Sequence, residues 1–238
     1  KLNRVRDQMR KLDAQAHVLN ALDDIGYLLN LRGTDVPTSP YFHAYLVVAQ
    51  QSAILYAHLP RFSADLVQSL KEQGVELKPY DIFFEDLKAL AGQAVLVDPA
   101  QSNLLTFNQL RSFNCRFIEK RAPSIAMKAV KNSIELDNWK NCFVRDGIAM
   151  VRFLNWFYKH VGAGNLTERM VSDQIDGERA KLNLFRGLSF TTIPAYGPNA
   201  AMMHYGLKEG LDTPVKPEGF FLLDSGGQYD DGTTDITR

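Results

Sequence analysis

Residues 219–238 predict a β-hairpin that brings two aspartates together. An apolar run ends at Asp224, a turn rich in glycine and aspartate follows, and Asp235 comes eleven positions after Asp224 in a pattern of threonine and isoleucine. Aspartate is disfavoured in strands, and two neighbouring carboxylates repel each other unless a cation lies between them. A hard divalent metal ion would supply that cation and accept oxygen ligands. The alternative is a pair of ordinary aspartates at a turn and a strand end, and the spacing alone leaves both interpretations open.

The composition indicates a globular protein and excludes several classes of partner. The 238 residues are 45% hydrophobic and 23% charged, with a formal net charge of zero, and this length suits one large domain or two ordinary ones. Without a basic block, the chain has no electrostatic footprint for nucleic acid or for a membrane surface. No apolar stretch approaches the roughly 20 residues of a membrane helix. The chain begins at Lys1 with a charged amphipathic segment, so no signal peptide is visible.

The two cysteines, Cys115 and Cys142, lie in apolar patterns. We interpret them as reduced, buried thiols, which are typical of a cytoplasmic protein. A disulfide or a nucleophilic cysteine is the alternative. We therefore expect a cytoplasmic protein that binds neither nucleic acid nor membrane.

Residues 1–124 predict an α/β domain built in layers. Short apolar runs alternate with helical patterns, which argues for helices packed on a sheet. Ser63 is a candidate N-cap for the helix that follows it. The predicted strands lie at residues 41–49, 53–58, 75–79 and 94–98, and the first two form a hairpin.

Residues 125–238 predict a second unit, with two helices followed by strands. A capping box at Asn132 starts a long helix, and Thr167 caps the next one. Strands are then predicted at 188–193 and 200–205, before the terminal hairpin. The charged residues of the second helix are interpreted as a solvated face: Glu168, Arg169, Asp173, Glu178 and Arg179.

Several motifs carry a family resemblance. The hairpin contains Leu-Asp-Ser-Gly at residues 223–226 and Gly-Thr-Thr-Asp-Ile-Thr-Arg at 232–238, and further motifs lie at 197–205 (Gly-Pro-Asn-Ala-Ala-Met-Met-His-Tyr), 146–151 and 28–33. With these motifs the chain resembles the Xaa-Pro aminopeptidases in their three-domain form. These belong to the pita-bread metallopeptidases, which include methionine aminopeptidase, prolidase and creatinase. The similarity covers essentially the whole chain, and the hairpin and histidine motifs are its most specific parts.

The resemblance implies a fold and a reaction. Residues 1–124 would form a creatinase N-terminal-like α/β domain, and residues 125–238 the first half of a pita-bread catalytic domain. The family releases the N-terminal residue from Xaa-Pro peptides, and a hydroxide held between two metal ions, usually manganese, attacks the carbonyl before proline. Family members of this form are often homodimers.

The resemblance also assigns roles to three residues. Asp224 would bind one metal ion, and Asp235 would bridge two. His204 matches the family histidine that helps to hold the substrate and the tetrahedral intermediate. The other histidines match no catalytic position and are interpreted as structural: His17, His43, His58 and His160.

Part of the family pattern lies outside this sequence. The family site has five metal ligands, and the histidine and two glutamates that complete it would follow Arg238. The first family domain would precede Lys1. We therefore expect residues 1–238 alone to bind metal weakly and to cleave no peptide, since most of each coordination shell is left to water.

Two other functions remain as alternatives. One is a non-catalytic pita-bread module that binds peptides or protein partners, although the presence of both aspartates argues against it. The other is prolidase, which cleaves dipeptides; the motif at residues 28–33 favours the three-domain aminopeptidase instead. Creatinase is disfavoured because it does not use these metal ligands.

Overall fold

The computed structural model describes residues 1–208, 210 and 212–238. The chain forms two compact units. The first contains Lys1–Val36 and Pro40–Val130, and the second contains Pro37–Ser39 and Lys131–Arg238. Among the helices within the described ranges, none combines the length and the apolarity that a membrane span requires.

The first unit is a six-stranded sheet with helices on both faces. Its strand order is β4-β3-β2-β1-β5-β6, and β2 runs antiparallel to both neighbours while the other pairs are parallel. Its elements are α1 (Leu2–Lys11), β1 (Ala16–Leu19), α2 (Leu22–Leu29), β2 (Ala44–Ala49), β3 (Ala53–Ala57), α3 (Ala64–Glu72), β4 (Val75–Pro79), α4 (Phe83–Asp86), β5 (Ala94–Val97), α5 (Leu104–Ser112), β6 (Arg116–Glu119) and α6 (Pro123–Ala129).

The alternation of side chains along these strands divides the core into two layers. Leu46 and Val48 of β2 pack on one face, with residues of α1, α2 and α3. Val47 between them packs on the other face, with residues of α4 and α5. Successive side chains of a strand point to opposite faces, so a buried strand must be apolar throughout. This explains why the inner strands β2, β3 and β5 appear in the sequence as continuous apolar runs, whereas the edge strands β4 and β6 contain charged residues.

The predictions for this unit agree with the structure where the signal is local. The hairpin of β2 and β3 is confirmed, with Leu46 opposite Leu55. β4 occupies residues 75–79, as predicted. Ser63 caps α3, and its hydroxyl accepts a hydrogen bond from the Leu66 N–H at 3.3 Å.

The second unit joins two helices to two small antiparallel sheets, ordered β11-β10-β7 and β12-β9-β8. The predicted capping box is confirmed, because the Asn132 side chain and Glu135 exchange hydrogen bonds of 2.9 Å with each other's backbone N–H. Thr167 caps the second helix, as predicted. The elements are α7 (Ser133–His160), α8 (Glu168–Ala180), β7 (Phe185–Leu188), β8 (Ile193–Tyr196), β9 (Phe221–Ser225), β10 (Gly227–Tyr229), β11 (Gly232–Thr233) and β12 (Ile236–Thr237).

Three predictions for this unit are wrong. Residues 188–193 do not form one strand, because β7 ends at Leu188 and β8 begins at Ile193. Residues 200–205 do not form a strand; a short 3-10 turn, Gly197–Ala201, begins the segment instead. Positive φ angles at Gly197 and His204 (56° and 54°) interrupt any extended backbone there. The charged face of α8 is also not solvated throughout, because Glu168 and Arg179 are completely buried.

The buried imidazole of His17 makes the first unit sensitive to acid. His17 Nδ1 lies 2.9 Å from the Leu96 carbonyl oxygen, and Nε2 is buried without a hydrogen-bond partner among the described residues. Burial lowers the pKa of His17 from 6.5 to about 4. The unfolded chain therefore binds this proton more readily than the folded one. The resulting stability is complete above pH 6.5 and is lost as the pH falls towards 4.

We predict that this one group lowers the unfolding free energy of the first unit by about 3 kcal/mol between pH 7 and pH 4. The measurement is the hydrogen-exchange protection of amides in β1 and β5 at both pH values. His17→Asn should remove this part of the pH dependence, while the exposed control His58→Asn should retain it. An unchanged pH dependence in His17→Asn would contradict the assignment.

Candidate metal centre

The register between β9 and β12 places Asp224 and Asp235 on one face of their sheet. Asp224 lies opposite Thr237, and backbone hydrogen bonds between Leu223 and Arg238 and from Thr234 N to Gly227 O hold the same register on both sides. Asp235, which precedes Thr237 by two positions, therefore lies opposite Gly226. Side chains two positions apart share a face. The two aspartates are diagonal neighbours, which in antiparallel pairs are separated by roughly 7–8 Å.

Neither of these aspartates is neutralised by a basic side chain in the part of the chain that the structure describes. Asp224 is half-buried, and its Oδ1 is buried and has no hydrogen-bond partner among residues 1–208, 210 and 212–238. Asp235 is exposed and takes part in none of the side-chain hydrogen bonds or ion pairs found there. A buried carboxylate oxygen without a partner is costly. This oxygen therefore fits a bound cation.

The aspartates of the turn are in a different situation. Asp230 accepts two hydrogen bonds from Arg186, at 2.7 and 2.6 Å, and Asp231 accepts two from Arg145, both at 2.8 Å. The Arg145 guanidinium holds the pKa of Asp231 below its ordinary value. The turn carboxylates are thus bound by arginines, whereas Asp224 and Asp235 have no arginine partner among the described residues.

The described residues supply only part of a metal coordination shell. Within them, no group of three or more histidine, cysteine, aspartate or glutamate side chains is arranged around one point. Hard divalent ions take six or more oxygen ligands. Asp224 and Asp235 can therefore supply anionic oxygens to an ion, but further ligands are required.

Asp146, Arg179 and Tyr229 form a fully buried polar cluster that connects the hairpin to the two helices. Arg179 of α8 donates to Asp146 of α7 from Nε at 2.8 Å and from Nη2 at 3.0 Å, and the Tyr229 hydroxyl donates to Asp146 at 2.6 Å. All three side chains are inaccessible to solvent. Burial and the bond to Asp146 raise the pKa of Tyr229, so its hydroxyl keeps its proton. The cluster ties both helices to β10, which lies between the two aspartates in sequence.

His204 lies on the exposed segment that follows β8. Its φ of 54° is left-handed, a conformation that costs a non-glycine residue about 1–3 kcal/mol. The segment begins beside the start of β9, where Gly197 N donates to Phe220 O at 2.9 Å. Asp224 follows Phe220 by four residues, about 13 Å at 3.3 Å per residue. None of the described hydrogen bonds joins His204 to either aspartate.

Sequence reasoning missed two buried charged residues of the second unit, Glu168 and Arg179. Their charge predicts a solvated position, because charged residues usually remain in water. The sequence signal that could have found them is their spacing on α8. Glu168 precedes the buried Val171 by three positions and the buried Ile175 by seven. Arg179 follows Ile175 by four positions. Residues at these spacings share one face of a helix, so both charged residues lie on the buried side of α8.

Two family descriptions cover almost the whole chain. Residues 1–135 match the creatinase/prolidase N-terminal domain, and residues 138–238 match metallopeptidase family M24. The chain therefore belongs to the creatinase/prolidase family, with an M24 metallopeptidase domain in its second half. The predicted fold, an α/β domain followed by pita-bread structure, is confirmed.

Individual relatives point in the same direction. A probable Xaa-Pro aminopeptidase P from Chaetomium globosum is 38% identical over 249 residues, which is 100% of this chain and 40% of that protein. Xaa-Pro aminopeptidase ApepP from Drosophila melanogaster is 34% identical, over 98% of this chain and 39% of that protein. The chain thus spans about two fifths of the curated relatives that it matches.

Solved structures match as well. X-prolyl aminopeptidase from Caenorhabditis elegans, described as a cytosolic enzyme with a di-nuclear active site, matches with a TM-score of 0.92 and 30% identity, over 100% of this chain and 40% of that one. Xaa-Pro dipeptidase from Bacillus anthracis matches with a TM-score of 0.75 over 100% of this chain and 63% of that one. At 18% identity, this second match supports the fold alone.

Gly226 is required by the close approach of two strands in the hairpin. A Cβ at this position would overlap with the Thr234 carbonyl oxygen and with Ser189 Oγ. We predict that Gly226→Ala lowers the unfolding free energy of the second unit by about 3 kcal/mol, at the upper end of overpacking effects. Urea denaturation followed by tryptophan fluorescence measures it, since both tryptophans lie on α7.

Gly177→Ala is the matched control for this variant. Apart from its chain neighbours and the backbone of α8, no atom of the described residues lies within 4 Å of a Cβ there. Alanine is favoured over glycine in a helix by about 1 kcal/mol. The control should therefore be neutral or stabilising. Equal effects of the two substitutions would contradict the overlap argument.

Proposed function

We propose that the natural polypeptide that contains residues 1–238 is a metal-dependent aminopeptidase, which releases the N-terminal residue from peptides with proline in the second position. The observation that carries the proposal is the pair of aspartates on one face of the hairpin, without basic partners among the described residues. The names of the aligned relatives support the choice of reaction and of substrate.

In this proposal, the carboxylates of Asp224 and Asp235 would hold the divalent ions. The buried Oδ1 of Asp224, which has no partner among the residues that the structure describes, fits such an ion. The exposure of Asp235 gives access to it. The bound ions would supply Lewis-acid chemistry at the peptide carbonyl group. Two ions agree with the di-nuclear site described for the Caenorhabditis elegans relative.

His204 is proposed to hold the substrate. Its imidazole is exposed, and either ring nitrogen can donate or accept a hydrogen bond. Such a bond to the peptide would orient the carbonyl group, and it could also stabilise charge that develops on the oxygen. The exposed Met203 beside it adds apolar surface at the same place.

The proposal also covers the identity of the metal, the oligomeric state and the cellular location. Manganese as the resident metal and a homodimeric assembly come from the family resemblance. A cytoplasmic location is supported by the description of the Caenorhabditis elegans relative as cytosolic. Neither nucleic acid nor a membrane is proposed as a partner, since the net charge is zero.

Metal binding by the two aspartates can be tested by calorimetric titration of the natural polypeptide with Mn²⁺. Asp224→Asn and Asp235→Asn should each weaken binding at least tenfold, about 1.4 kcal/mol, because each removes a negative charge from the ligand set. Asp230→Asn is the matched control in the same hairpin. Asp230 is bonded to Arg186, so its substitution should leave Mn²⁺ affinity unchanged. Unaltered binding by both strand variants would refute the site.

The reaction can be tested with Xaa-Pro tripeptides and matched Xaa-Ala tripeptides. We expect release of the first residue from the proline peptides, loss of release after treatment with a chelator and recovery with Mn²⁺. His204→Ala should lower kcat/KM by about 10²-fold, as for the loss of one oriented donor, while the exposed control His58→Ala should not. Cleavage of Xaa-Pro dipeptides in preference to tripeptides would favour prolidase instead.

A further inference from the structure

Glu168 is a buried carboxylate that has no role in the proposed reaction. It is the first residue of α8 and is inaccessible to solvent. Among the described residues it forms no ion pair with lysine, arginine or histidine. Its charge must therefore be balanced by other groups, because burial of an uncompensated carboxylate is strongly unfavourable.

The balancing groups are neutral donors from a single segment. Glu168 Oε1 accepts hydrogen bonds from the Tyr196 backbone N–H at 2.7 Å and from Asn199 Nδ2 at 3.0 Å. Oε2 accepts one from the Tyr205 hydroxyl at 2.6 Å. The positive end of the α8 dipole adds to the stabilisation of the carboxylate. All three donors belong to residues 196–205.

These bonds close both ends of the segment that carries His204. Tyr196 is the last residue of β8, and Tyr205 directly follows His204. Asn199 Nδ2 also contacts the Tyr205 hydroxyl at 3.1 Å and Thr213 Oγ1 at 3.0 Å. One carboxylate thus fixes the start and the end of residues 197–204, which would otherwise be an open surface loop.

The conformation of His204 shows why a fixed loop matters. Its backbone is left-handed, and such strain persists only where the surroundings determine it. The Tyr205 hydroxyl supplies an anchor one residue away. Burial and the bond to Glu168 raise the pKa of Tyr205, so the hydroxyl stays protonated and remains a donor at neutral pH.

We propose that Glu168 is a positioning residue for His204: by binding Tyr196, Asn199 and Tyr205, it fixes the loop that presents the imidazole to the peptide. This inference rests on the proposed role of His204 in substrate binding. Glu168 itself does not touch the substrate. Its effect on the reaction therefore passes through His204.

The anchoring can be tested without any assay of activity. Glu168→Gln and Tyr205→Phe in the natural polypeptide should each raise the hydrogen-exchange rates of loop amides 197–205 at least tenfold, while exchange in the last two turns of α8 stays as in the wild type. Asp173→Asn, an exposed carboxylate on the same helix, and the exposed Tyr158→Phe are the matched controls. Unchanged loop exchange in both test variants would overturn the proposal.

A double-mutant cycle then tests the route through His204. Glu168→Gln should lower kcat/KM for an Xaa-Pro peptide about tenfold in the wild type and by less than twofold in a His204→Ala background. An equal loss in both backgrounds would overturn the proposal. If the wild type releases no residue from any Xaa-Pro peptide, the proposed function fails, and the exchange rates alone decide whether Glu168 fixes the loop.

Discussion

The pairing register between β9 and β12 determines the candidate site. Asp224 and Asp235 share a face only because Thr237 lies opposite Asp224. A slip of one residue would move every side chain of one strand to the opposite face and would separate the carboxylates. The register is held at both ends, by paired backbone hydrogen bonds between Leu223 and Arg238 and by the bond from Thr234 N to Gly227 O. The proposed metal site therefore depends on the backbone pairing that places the two carboxylates on one face.

Buried charged residues also position the helices and the hairpin of the second unit. The Asp146–Arg179 pair joins α7 to α8, and Tyr229 connects the pair to the hairpin. Apolar residues in such places would often be as stable or more so, whereas the loss of one partner leaves a buried charge that costs about 3–5 kcal/mol. The cluster therefore contributes a specific arrangement of the helices and the hairpin more than it contributes net stability. Glu168 is also a buried carboxylate, but its hydrogen-bond partners are neutral donors and not an arginine.

The sequence predicted those elements whose signals are local. The β2–β3 hairpin, β4 and the caps at Ser63, Asn132 and Thr167 all follow from short patterns of apolar and capping residues. The hairpin with its two aspartates was also located from its spacing, and the family followed from the motifs around it. Each of these signals lies within about a dozen neighbouring residues.

The errors arose where distant residues decide the conformation. Residues 200–205 have the composition of a strand, but Asn199 and Tyr205 bind Glu168, some thirty positions earlier, and the backbone of His204 is left-handed. Glu168 and Arg179 look like surface charges until their partners are known. A hydrogen-bond partner that is distant in sequence does not affect the pattern of neighbouring residues. The burial of these two charged side chains could therefore not be predicted from composition or from helical periodicity alone.

The exposure of the histidine loop has a further chemical consequence. Of the six methionines, Met203 and Met202 are the most exposed, at 89% and 57%. Peroxides convert accessible thioethers to sulfoxides, which are polar and chiral. Oxidative damage would thus reach the surface next to His204 before it reaches the methionines of the core, and it would replace apolar contacts with a sulfoxide dipole at the place where a peptide is proposed to bind.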